Sequence, residues 1–205
     1  MRMSVESSDL PRTFFYRFAR AVVTAFFRAC FRVRVEGLQR LPRQGGVVLA
    51  SNHLSNFDPP LLGILVPRYI RFMGKAELFR MPMLRRLFLT LGGFPIERGR
   101  VDRRAIRTAI DVLQRGTCLV MFPEGHRSRT GKLGPLQPGI ASIARKAGAI
   151  IQPVGIRGQY RLFGRIEVKF GEPIDVRALS DEEVMRNLRE QLLRLTGSGS
   201  DMDAR

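Results

Sequence analysis

The sequence predicts an α/β fold, a central mostly parallel sheet flanked by helices, and three observations carry that expectation. Short β-branched runs alternate along the chain with stretches of helical period, the pattern of strands joined by crossover helices. The 205 residues supply enough chain for one substantial core. Apolar residues at 44% and charged residues at 26% match ordinary globular usage, which excludes wholesale disorder despite a formal charge of +17.

The first element spans residues 1–34, where Phe14, Phe15, Tyr16, Phe18, Phe26, Phe27 and Phe31 are interleaved with Arg12, Arg17, Arg20, Arg28, Arg32 and Arg34. Its longest charge-free run, Ala21 to Phe27, falls far short of the ~20 residues a spanning helix needs, and the repeated arginines exclude a cleavable signal core. At about 100° per residue, Phe15, Phe18, Val22, Ala25, Phe26 and Ala29 share one helical face, with Arg17, Arg20 and Arg28 roughly opposite. Two readings fit: an amphipathic membrane-contacting helix lying among headgroups, or a helix whose aromatic face packs on the core while its arginines are solvated.

Strands are then expected at 32–36, 47–50, 69–73, 94–96, 117–122, 150–156 and 166–170. The helical stretches between them are 59–66, 82–91, 102–115, 138–147 and 181–195, several opened by Pro or Asp. Residues 35–196 thus form one domain, and 197–205, small and polar, form a flexible tail. The two cysteines, Cys30 and Cys118, lie in an Arg-rich aromatic stretch and an apolar run, so neither a disulfide framework nor a metal site is expected.

The positive charge is unevenly placed: residues 1–150 hold 26 Lys and Arg against 9 Asp and Glu, whereas 151–205 hold 9 of each. A basic surface of this kind suits nucleic acid, anionic lipid or a phosphorylated substrate.

Three loops carry candidate chemistry. Asn52-His53-Leu54-Ser55-Asn56-Phe57-Asp58-Pro59 follows an apolar strand, and a turn at the helix start would fold the Asp58 carboxylate back on the His53 imidazole. A carboxylate on one ring nitrogen fixes the tautomer, so the other nitrogen takes a proton as a general base. The plainer reading of the same residues is a turn with an Asp N-cap. Phe122-Pro123-Glu124-Gly125-His126-Arg127-Ser128-Arg129 ends another apolar strand, and Gly92-Gly93-Phe94-Pro95-Ile96-Glu97-Arg98 places an arginine beside glycines. Each is either a solvated basic turn or a phosphate cradle.

Together and in this order, the set resembles the glycerolipid acyltransferase family, in particular 1-acyl-sn-glycerol-3-phosphate (lysophosphatidate) acyltransferases. The family's His, four residues and Asp match His53 and Asp58; its glycine-led block ending in Arg matches residues 92–98. Its Phe-Pro-Glu-Gly block matches 122–128, and its apolar strand into proline matches Ile150-Ile151-Gln152-Pro153-Val154. His126 departs from the Thr common at that place.

The resemblance implies acyl transfer from acyl-CoA or acyl carrier protein, as co-substrate, to the sn-2 hydroxyl of 1-acyl-sn-glycerol-3-phosphate, giving phosphatidate for phospholipid biosynthesis. No metal or cofactor is implied. His53 is then the base and Asp58 its orienting partner. Arg98 and Lys75 are candidates for the acceptor phosphate, and Glu124, Gly125 and Arg127 for the glycerol portion. The partners expected are membrane lipids and the donor, with the enzyme peripheral or monotopic on the cytoplasmic face of a membrane. Alternatives are acyl transfer to glycerol-3-phosphate or another lysolipid, including a lyso-aminolipid, and, from a different class, a basic nucleic-acid-binding protein. No zinc finger, glycine-aromatic RNA motif or heptad-backed basic helix supports the latter, and no nucleic acid is expected. A serine or cysteine hydrolase is disfavoured because Gly-x-Ser-x-Gly is absent near any His and Cys118 lies inside an apolar run where it packs.

Overall fold

A computed structural model describes residues 14–97, 102–128 and 130–198. The chain begins with helix α1 (Phe14–Cys30), which runs without a loop into strand β1 (Phe31–Glu36). Then come β2 (Val47–Ser51), α2 (Asp58–Leu65), β3 (Ile70–Lys75), α3 (Pro82–Thr90), β4 (Gly93–Ile96) and α4 (Arg103–Gln114). The remainder is β5 (Cys118–Met121), α5 (Gly139–Ala147), β6 (Ile150–Gly158), β7 (Gly164–Phe170), β8 (Ile174–Asp175) and α6 (Asp181–Thr196). Every expected strand and helix is present within two residues of its predicted bounds; the short β8 carries too little pattern to announce itself.

Local chemistry explains several of these boundaries. Asp102 caps α4 by accepting from the Arg104 and Ala105 amides. Ser180 and Glu183 close a capping box on α6, and Asp181, Glu182 and Glu183 place negative charge at its positive end. Gly148 ends α5 at φ +62, a left-handed conformation that glycine adopts without steric penalty.

The sheet order is β1-β7-β6-β2-β5-β3-β4, with β8 also on β6. Strands β2 to β6 are mutually parallel; β1, β7 and β8 run the other way because β6 and β7 form an antiparallel pair. Alternate residues of the wholly buried β2 serve two cores. Val48 and Ala50 pack with α4, α5 and α6 on one face, while Val47 and Leu49 pack with α1 and α2 on the other.

Residues 14–34 are integral to this packing. Phe27 and Phe31 belong to the second core, and the boundary expected between 34 and 35 falls inside β1. Helix α1 has one covered face and one open face. Tyr16, Ala19 and Phe27 turn inward, whereas Phe15, Phe18, Val22 and Phe26 of the expected aromatic face, joined by Phe14, lie exposed. Phe14 is 82% and Phe18 57% accessible. Arg20, expected in solvent opposite that face, instead donates to the Ile64 and Val66 carbonyls at the C-terminal end of α2, satisfying acceptors that the helix leaves open.

Topology opens a crevice at one edge of the sheet. After β2 the chain crosses to β3 on one side, and after β5 it crosses to β6 on the other. The loops leaving the carboxyl ends of β2 and β5 therefore diverge, and in open α/β sheets ligands occupy such a point.

Candidate active site

Residues 51–53 leave β2 still buried, which demands partners for their polar groups. Asn52 finds them on β6: its side-chain carbonyl accepts the Ile156 N–H at 2.7 Å and its amide donates to the Ile156 carbonyl at 2.8 Å. The side chain thus extends the β2–β6 pairing past the last strand residue and sets where His53 begins.

The His53 ring stacks on Phe122 from the loop after β5, with centroids 3.8 Å apart and planes 14° from parallel. Its backbone is held at both ends by that loop. The His53 N–H donates to Glu124 Oε1 at 3.0 Å, and its carbonyl accepts the Ser128 N–H at 2.8 Å.

Asp58 opens α2 ahead of two prolines, yet its side chain makes no cap hydrogen bond to the helix. It folds backwards instead. Oδ2 lies 2.7 Å from His53 Nδ1 and accepts the Leu54 and Ser55 amides at 2.7 and 2.8 Å, while Oδ1 accepts the Tyr160 hydroxyl at 2.6 Å. The carboxylate has no accessible surface, and these four donors replace the water it has lost. Because Asp58 accepts throughout, His53 Nδ1 carries the hydrogen and Nε2 carries the lone pair. Nε2 has no protein partner among the described residues. The turn with a capping Asp, the plainer of the two sequence readings, is thereby replaced by a buried His–Asp pair.

Glu124 is 2% exposed, and its second oxygen, Oε2, accepts the Gly134 N–H at 2.9 Å. Each carboxylate oxygen thus accepts one backbone amide, so Glu124, while lining the cleft, also braces three pieces of chain. Gly125 follows at φ +72, where a side chain would be strained, and its N–H closes a turn onto the Phe122 carbonyl at 3.0 Å. That turn releases His126 and Arg127 to the surface.

Beside the pair lies an open cleft of about 780 Å³ lined by Leu54, Glu124, His126, Arg127, Thr130 and Lys132. A smaller groove of about 350 Å³ shares Leu54, Thr130 and Lys132 and continues toward Arg157 and Gln159. Lysine and arginine give this cleft a basic rim.

His53, Asp58, Glu124, Gly125 and Arg127 are thus brought together. Lys75 is not: it ends β3, two strand spacings or roughly 10 Å from β2 across β5, and pairs with Glu77 at 3.2 Å. Arg98 lies outside the described residues. Sequence reasoning missed Lys132, Gly134 and Tyr160 as parts of the site, and it gave Asn52 and Ser128 no role within the loops that carry them. Lys132 had a signal, a basic residue in the same loop as Arg127. Tyr160 had none, because a single tyrosine in a loop has no periodicity or spacing to distinguish it.

The family model described as Acyltransferase matches residues 32–157. The chain is 28% identical over 186 residues to the 1-acyl-sn-glycerol-3-phosphate acyltransferase of Bacillus subtilis, covering 86% of this chain and 92% of that one. It is 37% identical over 127 residues to the lyso-ornithine lipid O-acyltransferase of Pseudomonas aeruginosa, covering 62% of this chain and 47% of that one. Chloroplastic plant relatives are longer, and the chain spans little more than a third of their length. In three dimensions it is similar to the 1-acyl-sn-glycerophosphate (LPA) acyltransferase PlsC of Thermotoga maritima, with a TM-score of 0.74 and 28% identity over 96% of this chain and 85% of that one.

Proposed function

The chain belongs to the acyltransferase family, and on that premise we propose that it transfers a fatty acyl group from a thioester donor to the free sn-2 hydroxyl of 1-acyl-sn-glycerol-3-phosphate, giving phosphatidate. The observation that carries this reading is the buried His53–Asp58 bond of 2.7 Å beside a cleft rimmed by Arg127 and Lys132. Relatives named for the same reaction support it.

The chemistry follows from the geometry. A thioester is already activated, so the acceptor oxygen needs only to shed its proton as it attacks. His53 Nε2 takes that proton while the new C–O bond forms, and Asp58 Oδ2 stabilises the imidazolium. When the tetrahedral intermediate collapses, the C–S bond breaks and the imidazolium returns the proton to the leaving thiolate. No side chain becomes acylated. General-base help of this kind contributes about 10²- to 10⁴-fold to rate.

Arg127 and Lys132 hold the acceptor phosphate in this reading, with Arg98 a further candidate, and the donor is acyl-CoA or acyl carrier protein. A second acceptor class, a lyso-aminolipid, is favoured by the 37% match to the lyso-ornithine lipid enzyme; the basic rim argues for phosphate.

No helix among the described residues is long and apolar enough to cross a membrane. The exposed face of α1, with Phe14, Phe15, Phe18, Val22 and Phe26, fits a helix lying in the headgroup region on the cytoplasmic face, so the enzyme meets its lipid acceptor as a peripheral protein.

The test is transfer of a radiolabelled acyl group to lysophosphatidate and to lyso-ornithine lipid by the purified protein and by His53→Ala. Loss of at least ~100-fold in turnover with the fold intact is expected; an active variant overturns the base assignment, and preference for the aminolipid overturns the acceptor.

A further inference from the structure

We propose that Tyr160 is a positioning residue of the acyl-transfer pair: its hydroxyl binds the Asp58 oxygen that His53 leaves unused, fixes the carboxylate and draws negative charge away from the imidazole. The inference rests on the reading of His53 as general base.

Tyr160 reaches Asp58 from the loop after β6, 102 residues along the chain, and its bond to Oδ1 is 2.6 Å long. The ring cannot easily swing away. It packs edge-on against Phe31 at 5.7 Å and tilted against Phe57, the residue before Asp58, at 5.7 Å. The same strand is pinned to β2 by the Asn52 side chain, so the distance from Tyr160 to the pair is set by the sheet itself.

The phenol is a permanent donor. Burial, followed by the Asp58 charge and the hydrogen bond to it, pushes its ionisation far above the usual phenol range. An O–H on Oδ1 spreads the carboxylate's charge over both oxygens. Without it, the charge concentrates on Oδ2, the imidazolium proton is held more tightly, and the carboxylate loses the bond opposite His53 that keeps it in plane.

Among the described residues, Glu124, His126, Arg127 and Lys132 approach the pair from the loop after β5. From α1 and β1 the rings of Phe26, Phe27 and Phe31 pack around Phe57, next to Asp58, and Arg20 is engaged at the far end of α2. A change confined to the Tyr160 oxygen therefore acts on the His53–Asp58 pair.

The experiment measures kcat and KM against pH for the full chain with lysophosphatidate, comparing the parent with Tyr160→Phe and with 3-fluorotyrosine at position 160, which keeps the shape but donates more strongly. For Tyr160→Phe the acid limb of kcat should move to higher pH by about half a unit or more, with turnover reduced roughly tenfold and acceptor KM little changed. Fluorotyrosine should move the limb the opposite way, and it decides alone if the phenylalanine variant does not fold. Unchanged limbs in both, with His53→Ala inactive, overturn the role of Tyr160 and leave the base assignment standing. An active His53→Ala protein overturns the reading beneath it.

Discussion

The backbone N–H of His53 donates to Glu124 at 3.0 Å, a bond between residues 71 positions apart. The other carboxylate oxygen of Glu124 accepts the Gly134 N–H. One buried side chain therefore links the loop after β2, the turn after β5 and the far wall of the cleft. His53 is thereby held by two carboxylates, one on its ring and one on its backbone.

Replacing Glu124 by Gln tests that arrangement. A glutamine carbonyl can accept one amide, and its NH₂ then faces the other N–H, leaving a buried donor unpaired at a cost of about 1–3 kcal/mol. We expect thermal unfolding to fall accordingly and turnover to drop more than acceptor KM rises. A variant with parental stability and kcat would remove the bracing role.

The phosphate assignment makes a separate prediction. Arg127→Ala and Lys132→Ala leave the His53–Asp58 pair untouched, so each should raise KM for lysophosphatidate by about tenfold or more while kcat changes little. The loss should shrink for an acceptor without phosphate. Equal losses for both acceptors would place these cations elsewhere in the reaction.

The proposed membrane contact can be tested apart from folding because the exposed and the covered faces of α1 are different residues. Phe18→Ser with Val22→Ser alters only exposed positions, so sedimentation with anionic vesicles should weaken several-fold while the unfolding temperature holds. Phe27→Ala, at a core position 2% exposed, should instead cost about 3–5 kcal/mol of stability. Deleting residues 1–34 would confound the two by removing Phe27, Phe31 and most of β1. Undiminished vesicle binding by the exposed-face variant would return α1 to a purely structural role.

Much of this protein is legible before folding is considered. The alternation of apolar strands with helical stretches is a local property of side-chain period, and it located every major element. The spacing of His53 and Asp58 is likewise local: five residues across one turn suffice to bring a carboxylate onto an imidazole. The apolar face of α1 could be read from a helical wheel, though its partner face could not, because both are rich in aromatic and small residues and only the position of α2 and β1 decides which is covered.

By itself, then, the sequence determined the layered α/β architecture, the pairing of His53 with Asp58 and the basic character of its surroundings. Tertiary structure decided what touches that pair. Sheet order set Lys75 two strands aside, carried Tyr160 to Asp58 and gave Glu124 two backbone amides to hold. The physical reason is that periodicity and short spacings are written in neighbouring residues, whereas strand order and loop-to-loop contact come from packing both faces of one sheet at once, a condition on the whole chain that no short stretch encodes.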